Sequence, residues 1–346
     1  CRKNVMMYTD EWTQLTNKMG YWVDLEHPYI TYDNKYIESL WYLLKQLYKK
    51  DLLYKGYTIQ PYSPTDGTGL SSHEPNQPGC YRDVTDTTAT AQFKVVSDEA
   101  SKKLFTEENL PVYFLAWTTT PWTLPSNLGL CMGPEVEYVK LRDKSDGTFY
   151  IFAKARISAY FKKEEDYEII WTHKGAEFIG ATYEPLFDYF ANLADPKVCA
   201  EKSGQPCTTG AFRMLNADYV STEDGTGIVH IAPAFGEEDN KVFRGSGVPN
   251  VQPIDAECKF TDEVPDYVGR FVKDCDKDIM DRLKKEGKLV KRETVNHQYP
   301  HCWRCDSPLI YRGVGSWFVR VADHHEELLR ANSNIKWQPS HIKEGR

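Results

Sequence analysis

Between residues 85 and 270 the chain repeats one device, an apolar run too short for a helix followed by a turn. The runs are VYFLAW, VEYVKL, TFYIFAKA, YEIIW and GIVHIA, and the turns include RDKSDGT and STEDGTG. Runs of four to eight residues rich in Val, Ile, Tyr and Phe suit strands, and Gly, Asp and Ser supply the turn conformations between them. Many short strands with helices between only some of them predict a β-barrel-like domain. On either side the period lengthens. In YIESLWYLLKQLYKK, Ile37, Leu40, Trp41, Leu44, Leu47 and Tyr48 recur at three- and four-residue steps, with Asp33 as N-cap and Gly56 beyond the end. This predicts an amphipathic helix packed on a neighbour. DKDIMDRLKKEGK, 276–288, returns to helical spacing and puts Gly287 near a C-terminus. HQYPHCWRCDSPLIYRGVGSWFVRV, after it, reads as strand again. Residues 60–83 are dense in Pro, Gly, Ser and Asp and read as loop and hinge. The predicted organisation is a helical base with linker over 1–85, a β-rich inserted domain over 86–290 and a return segment over 291–346. The fold class is α/β, with a β-barrel-rich insertion on a mixed helical base.

At 346 residues the chain is long enough for a sizeable core, and no run approaches the ~20 apolar residues of a membrane span. Lysine and arginine total 42 against 50 acidic residues, a net charge of -8, so no global basic field points to nucleic acid. Such a balance still allows an enzyme to handle one end of an RNA. Nine cysteines, an odd number, with no secretory signal at the start, read as reduced thiols in an intracellular compartment. The start on Cys1 and the close on HIKEGR read as a piece cut from a longer chain.

Three stretches carry candidate chemistry. WTTTPWTLPSN, 117–127, sets Thr118, Thr119, Thr120 and Thr123, then Ser126 and Asn127, where the strand VYFLAW stops. Threonine is also a good strand residue and Pro121 and Pro125 simply end strands, so a plain strand terminus is one reading. The other is a rim of donors and acceptors suited to a sugar, an ester or a nucleotide end. In DGTGIVHIAPAFGEED, 224–239, His230 lies on a strand and Glu237, Glu238 and Asp239 follow Gly236. A satisfied core histidine and a dipole-favoured helix start compete there with a small polar pocket whose carboxylate holds an ammonium. HCWRC pairs Cys302 with Cys305, half of a four-ligand metal set, and two ordinary thiols read equally well. No P-loop, G-x-S-x-G, H-E-x-x-H or dinucleotide fingerprint is present.

WTTTPWTLPSN, GTGIVHIAPAFGEED, LSSHE, YIESLWYLLKQLY and YPHCWRC, in that family's order along essentially the whole chain, resemble isoleucyl-tRNA synthetase. The resemblance covers its connective peptide 1, which holds the editing domain. Valyl and leucyl relatives carry a TTRP-type element where this chain has TTTPWT. The resemblance implies hydrolysis of Val-tRNA(Ile) after transfer, in a parent enzyme that ligates isoleucine to tRNA(Ile) with ATP. The HIGH and KMSKS elements of that synthetic site are absent here. One methylene separates isoleucine from valine by only ~1–3 kcal/mol, a limit for which the isoleucyl enzyme is itself the usual illustration, so a second sieve is needed.

Residue by residue, the resemblance implies that Asp239 binds the α-ammonium, that His230 lines the amino-acid pocket and excludes isoleucine, and that Thr118, Thr119 and Thr120 hold the terminal adenosine and ester. These five form the expected catalytic group. Trp117, Thr123, Asn127, Thr226, Ala232 and Phe235 complete the substrate-binding set. The expected partners are the 3′ acceptor end of tRNA(Ile), the valine moiety and the rest of the synthetase, for a cytoplasmic monomer with no membrane partner. Editing needs no cofactor, and ATP and magnesium belong to the absent synthetic site. Many bacterial members pair the C-x-x-C with an upstream Y-C-P-x-C-G, where this chain has YSPTDG with Ser63 and Asp66 in the cysteine places. Zinc at Cys302 and Cys305 is therefore left open, and the departure suggests a eukaryotic-type enzyme. The competing function is a non-catalytic module that binds the tRNA acceptor end and needs the synthetase body for turnover.

Overall fold

The structure, a computed structural model, describes residues 2–105 and 110–345. Its α-helices are α1 (Arg2–Val5), α2 (Thr9–Lys18), α3 (Asn34–Lys49), α4 (Ile157–Tyr160), α5 (Pro196–Ser203), α6 (Glu237–Phe243), α7 (Asp276–Lys285), α8 (His325–Ser333) and α9 (Ile342–Gly345). The strands are β1 (Leu53–Ser63), β2 (Thr68–Gly69), β3 (Tyr81–Lys94), β4 (Val112–Thr118), β5 (Gly129–Met132), β6 (Glu137–Asp143), β7 (Phe149–Ala153), β8 (Tyr167–Lys174), β9 (Arg213–Asn216), β10 (Ile228–Ile231), β11 (Leu289–Pro300) and β12 (Ile310–Val319). The mixed, β-rich α/β class expected from sequence is the class observed.

By its contacts the chain forms two compact units, one of residues 1–56 with 316–346 and one of 57–315. In the first unit the Asp33 carboxylate caps α3 by accepting from the Lys35 N–H at 3.0 Å, as the sequence predicts. The predicted packing of α3 on a neighbour is not found. No residue of α3 is buried, and Trp41 remains 69% exposed, because the unit supplies no layer against its apolar stripe. The helical reading of 1–85 also stops early. α3 ends at Lys49, the left-handed backbone of Asp51 turns the chain, and β1 begins at Leu53. The stretch 60–83 is more than loop, for it holds the end of β1, all of β2 and the start of β3.

The second unit is built on a nine-stranded sheet in which β4 is the pivot. One edge of β4 pairs antiparallel with β3, from Lys94↔Tyr113 to Ala89↔Thr118. The other edge is shared: β7 runs parallel to its first half, at Val112↔Phe149, and β10 runs parallel to its end, at Val229↔Trp117. Parallel strands release their carboxyl ends on the same side, the usual place for a ligand crevice. β5 pairs antiparallel with β10 from Ile228↔Met132 to Ile231↔Gly129, and β9 runs parallel to β5. The core beneath is apolar and closed, with Phe93, Phe114, Leu130, Ile151 and Ile231 fully buried. Truncating one such phenylalanine to alanine costs roughly 3–5 kcal/mol. The amphipathic α7 adds Ile279 and Leu283 to this core, and Gly287 in the left-handed region follows it. Among the described residues no helix is long and apolar enough to cross a membrane.

Candidate functional site

β4 ends at Thr118 and β10 at Ile231, and between their ends opens a cavity of about 260 Å³. Trp117, Thr118, Thr119, Thr120, Thr123, Val229, His230, Ala232, Phe235 and Asp239 line it. The volume lies below the ~300–1,000 Å³ of drug-sized pockets, so it suits a small group or one end of a larger molecule. The two sequence stretches meet here because β4 and β10 are neighbours, although more than a hundred residues separate Thr123 from His230.

Pro121 ends β4 by starting a 3-10 helix, Pro121–Ser126, for which its fixed φ is suited. The threonines around that break hold one another. Thr118 Oγ1 accepts the Thr120 N–H at 3.1 Å and lies 3.3 Å from Thr120 Oγ1, which is 3.3 Å from Thr123 Oγ1. Thr123 donates its hydroxyl to the Thr120 carbonyl at 2.8 Å. Its oxygen is thereby left to accept, and His230 Nε2 stands 2.8 Å away.

The tautomer of His230 follows from the groups behind it. Asn127 Nδ2 faces the Gly129 carbonyl at 2.8 Å, an acceptor only, so this side of the amide must be its NH₂. That NH₂ also faces His230 Nδ1 at 3.1 Å, which must accept, while Tyr183 donates to Asn127 Oδ1 at 2.7 Å. His230 is therefore the Nε2–H tautomer with both nitrogens engaged. Burial pushes its pKa down to about 4 and keeps it neutral at pH 7. A ring so held is a fixed wall.

Asp239 comes from the first turn of α6. Its Oδ2 accepts the Ala232 N–H at 2.9 Å, which pins the carboxylate against the end of β10. Burial, aided by the neighbouring charge of Glu238, raises its pKa to about 6, against the pull of the Ala232 N–H and the Tyr219 hydroxyl. Gly236 makes the approach possible, since a Cβ there would stand 2.8 Å from Asp239 Cγ. The result is a buried carboxylate beside a neutral imidazole and a rim of hydroxyls, suited to a cationic amine on a polar, hydroxyl-bearing molecule.

The sequence expectations divide on this geometry. Thr118, Thr119, Thr120, Thr123, Trp117, His230, Ala232, Phe235 and Asp239 share the cavity. Asn127 stands one step behind, orienting His230. Thr226 does not reach the wall, because its hydroxyl is spent on its own turn, with Ile228 O at 3.1 Å and Ile228 N at 3.2 Å. Sequence reading missed Tyr183, Tyr219 and Val229. Only Val229, inside the IVHIA run, had a signal there.

Cys302 and Cys305 lie elsewhere, on a turn that faces a second turn of the same build. Gly67 N–H donates to Ser63 O and Asp306 N–H to Cys302 O, each at 2.9 Å, and Gly67 and Asp306 are both left-handed. Ser63 thus matches Cys302 and Asp66 matches Cys305. Donor atoms of Asp66, Cys302 and Cys305 come within 4.8 Å of one another. The fourth corner is held by Ser63 Oγ, 3.1 Å from Asp66 Oδ2 and 3.4 Å from Cys305 Sγ, while Cys302 Sγ lies 3.1 Å from Asp66 Oδ2. Three ligand groups with a hydroxyl at the fourth corner do not fit a closed structural zinc site. The eight cysteines among the described residues are all free thiols.

A small site at the ends of parallel strands, with a carboxylate for an amine and hydroxyls for a sugar or ester, fits an enzyme that handles aminoacyl groups. The model of the class I tRNA synthetases (I, L, M and V) matches residues 1–346, and the chain belongs to this family. Within it, the chain is 53% identical over 359 residues to the isoleucine–tRNA ligase of Treponema denticola, covering 100% of this chain and 32% of that protein. It is 45% identical over 347 residues to the isoleucine–tRNA ligase of Bdellovibrio bacteriovorus, covering 100% of this chain and 30% of that one. The chain thus spans about a third of the length of the relatives it matches. Both are bacterial, so the eukaryotic-type expectation drawn from Ser63 and Asp66 finds no counterpart in them. Among solved structures, the P. knowlesi cytosolic leucyl-tRNA synthetase editing domain overlaps 59% of this chain and 95% of its own, at 10% identity and a TM-score of 0.40, too loosely to support a conclusion.

Proposed function

We propose that this chain is the editing region of an isoleucyl-tRNA synthetase and hydrolyses the ester of valyl-tRNA(Ile). The observation that carries the reading is the cavity in which the threonine rim, neutral His230 and buried Asp239 converge. In this reading the 3′ adenosine lies on the rim and the valyl ammonium meets the Asp239 carboxylate. An arriving cation favours the ionised carboxylate, which is already the main form at pH 7 with a pKa of about 6. Thr118 spends its oxygen on the Thr120 N–H and keeps its own proton to donate to the ester or the ribose.

A water oxygen attacks the ester carbonyl, the bond from carbonyl carbon to ribose oxygen breaks, and the proton given up by the water ends on that ribose oxygen. Rim hydroxyls and the neighbouring ribose hydroxyl relay it. His230 has both nitrogens committed, so it acts as the size gate and not as the base. Orientation of the reactants is the main contribution, and in favourable cases it lowers a barrier by ~7–11 kcal/mol.

The editing domain is proposed over 86–290, within the compact unit of 57–315, in a cytoplasmic, monomeric parent that uses ATP and magnesium at its own synthetic site. Deacylation of pre-charged Val-tRNA(Ile) by Asp239→Ala tests the reading. The variant is expected to lose activity, and release at the parent rate would remove Asp239 from the mechanism.

A further inference from the structure

A second cavity, of about 210 Å³, shares Trp117 with the first and is otherwise lined by Arg156, Lys291, Gly225 and the carboxylates of Asp224 and Glu293 among others. Its position follows from register. Trp117 is paired with Thr90 on one side and Val229 on the other, so these three share one face of the sheet, while Thr118 and His230, one residue on, belong to the opposite face. The two cavities therefore meet around the end of β4, with Trp117 as their common wall. The Gly225 turn is pressed onto that wall. A Cβ on Gly225, whose φ is +63°, would stand 2.9 Å from Trp117 Cε3.

The cations of this cavity differ in what holds them. Lys291 is neutralised by Glu293 at 2.8 Å and tied to the Ala159 carbonyl at 3.0 Å. Arg156 donates only to neutral acceptors, Gly225 O from Nε at 2.9 Å and Glu223 O from Nη1 at 2.7 Å. Among the described residues no carboxylate pairs with it, and Nη2 keeps its donors. Two carbonyls fix the guanidinium, and Asp224 on the same wall makes no ion pair with it, so its charge stays open to a ligand beside the candidate site. A fixed, half-buried guanidinium with spare donors suits a phosphate oxygen.

We infer that the cavity beyond Trp117 receives the RNA strand just before its terminal adenosine, with the last phosphodiester on Arg156. The inference rests on the proposed function and deepens it. An aminoacylated adenosine in the first cavity still has a strand to continue, and the path around Trp117 leads to this unpaired cation. Lys291, held by Glu293, makes no such contact. Arg156 acts on affinity alone, since it lies outside the wall that surrounds the ester.

Two non-hydrolysable probes test this, valine amide-linked to 3′-amino-3′-deoxyadenosine and the same group at the 3′ end of a cytidylyl-adenosine dinucleotide. The wild-type chain is expected to bind the dinucleotide about tenfold more tightly, with an affinity that falls with salt at a log–log slope of ~0.7 for the one phosphate. Arg156→Ala should erase both the preference and the slope and leave the adenosine probe unchanged. Arg156→Lys, which keeps the charge without the grip on two carbonyls, should restore part of the preference. Equal weakening of both probes by Arg156→Ala would make Arg156 a tie for the 223–225 turn only and overturn the inference. Equal binding of both probes by a wild-type chain that hydrolyses valyl-tRNA would overturn it while the proposed function stands. A wild-type chain that neither binds a probe nor hydrolyses valyl-tRNA would remove the proposed function and this inference with it.

Discussion

Replacing Asp239 with Asn should make the chain more stable and inactive at once. Burial raises the carboxylate from its ordinary 3.8 to about 6, and at ~1.4 kcal/mol per pKa unit its ionised form costs the folded state about 3 kcal/mol. The cost is fully present above pH 6, shrinks as the pH falls and the folded carboxyl takes up its proton, and is gone below the unfolded value near 3.8. Asparagine keeps an oxygen for the Ala232 N–H, now at 2.9 Å from the carboxylate, and carries no charge. Asp239→Asn should therefore raise the thermal midpoint by several degrees at pH 8 and by nothing at pH 3.5. The same carboxylate predicts that wild-type deacylation falls as the pH drops through about 6, because the protonated acid no longer holds an ammonium. Calorimetry of the two proteins across this range reads the effect. An asparagine variant no more stable than the parent at pH 8, or a difference constant with pH, would refute the claim that Asp239 is a desolvated carboxylate held for a cationic ligand.

Further outcomes follow from the same geometry. His230→Ala removes the wall that limits the side chain, so Ile-tRNA(Ile) should begin to be deacylated and the valine preference should fall by roughly 10- to 200-fold, the worth of a methylene; unchanged preference would exclude His230 as the gate. Tyr183→Phe strips the hydroxyl that donates to Asn127 Oδ1 at 2.7 Å, and the buried, unpaired amide oxygen should cost ~1–3 kcal/mol in urea unfolding. Because a serine hydroxyl stands where the fourth ligand of a structural zinc would be, treatment with a strong chelator should leave the thermal midpoint unchanged, whereas a drop of many degrees with stoichiometric zinc release would show a built metal site.

Much of the β-rich unit was legible because its strands are dense in β-branched and aromatic residues. VYFLAW, VEYVKL, YEIIW and GIVHIA became β4, β6, β8 and β10 within a few residues. The long β3 was invisible because VTDTTATAQFK has no clear apolar alternation; its place is set by eleven register pairs with β11, a tertiary effect. β1 was hidden in the same way, by a Pro- and Gly-rich end that reads as loop.

At the site, residue types and spacing located the Thr rim, His230 and Asp239, since each falls just past a strand end. Sequence could not show that β4 and β10 are neighbours, nor that Asn127 and Tyr183 fix the imidazole, because Tyr183 lies in a stretch without periodic pattern. Thr226 looked equally suitable, and only the backbone shows that its hydroxyl folds back on Ile228.

The cavity proposed here admits valine on a tRNA end and refuses isoleucine. The direct measurement mixes the 346-residue chain with pre-charged Val-tRNA(Ile) and, separately, Ile-tRNA(Ile), and times the release of each amino acid. Valine is expected to be released rapidly and isoleucine at the spontaneous rate. Release of both at similar rates, or protection of both esters from spontaneous loss, would contradict that expectation.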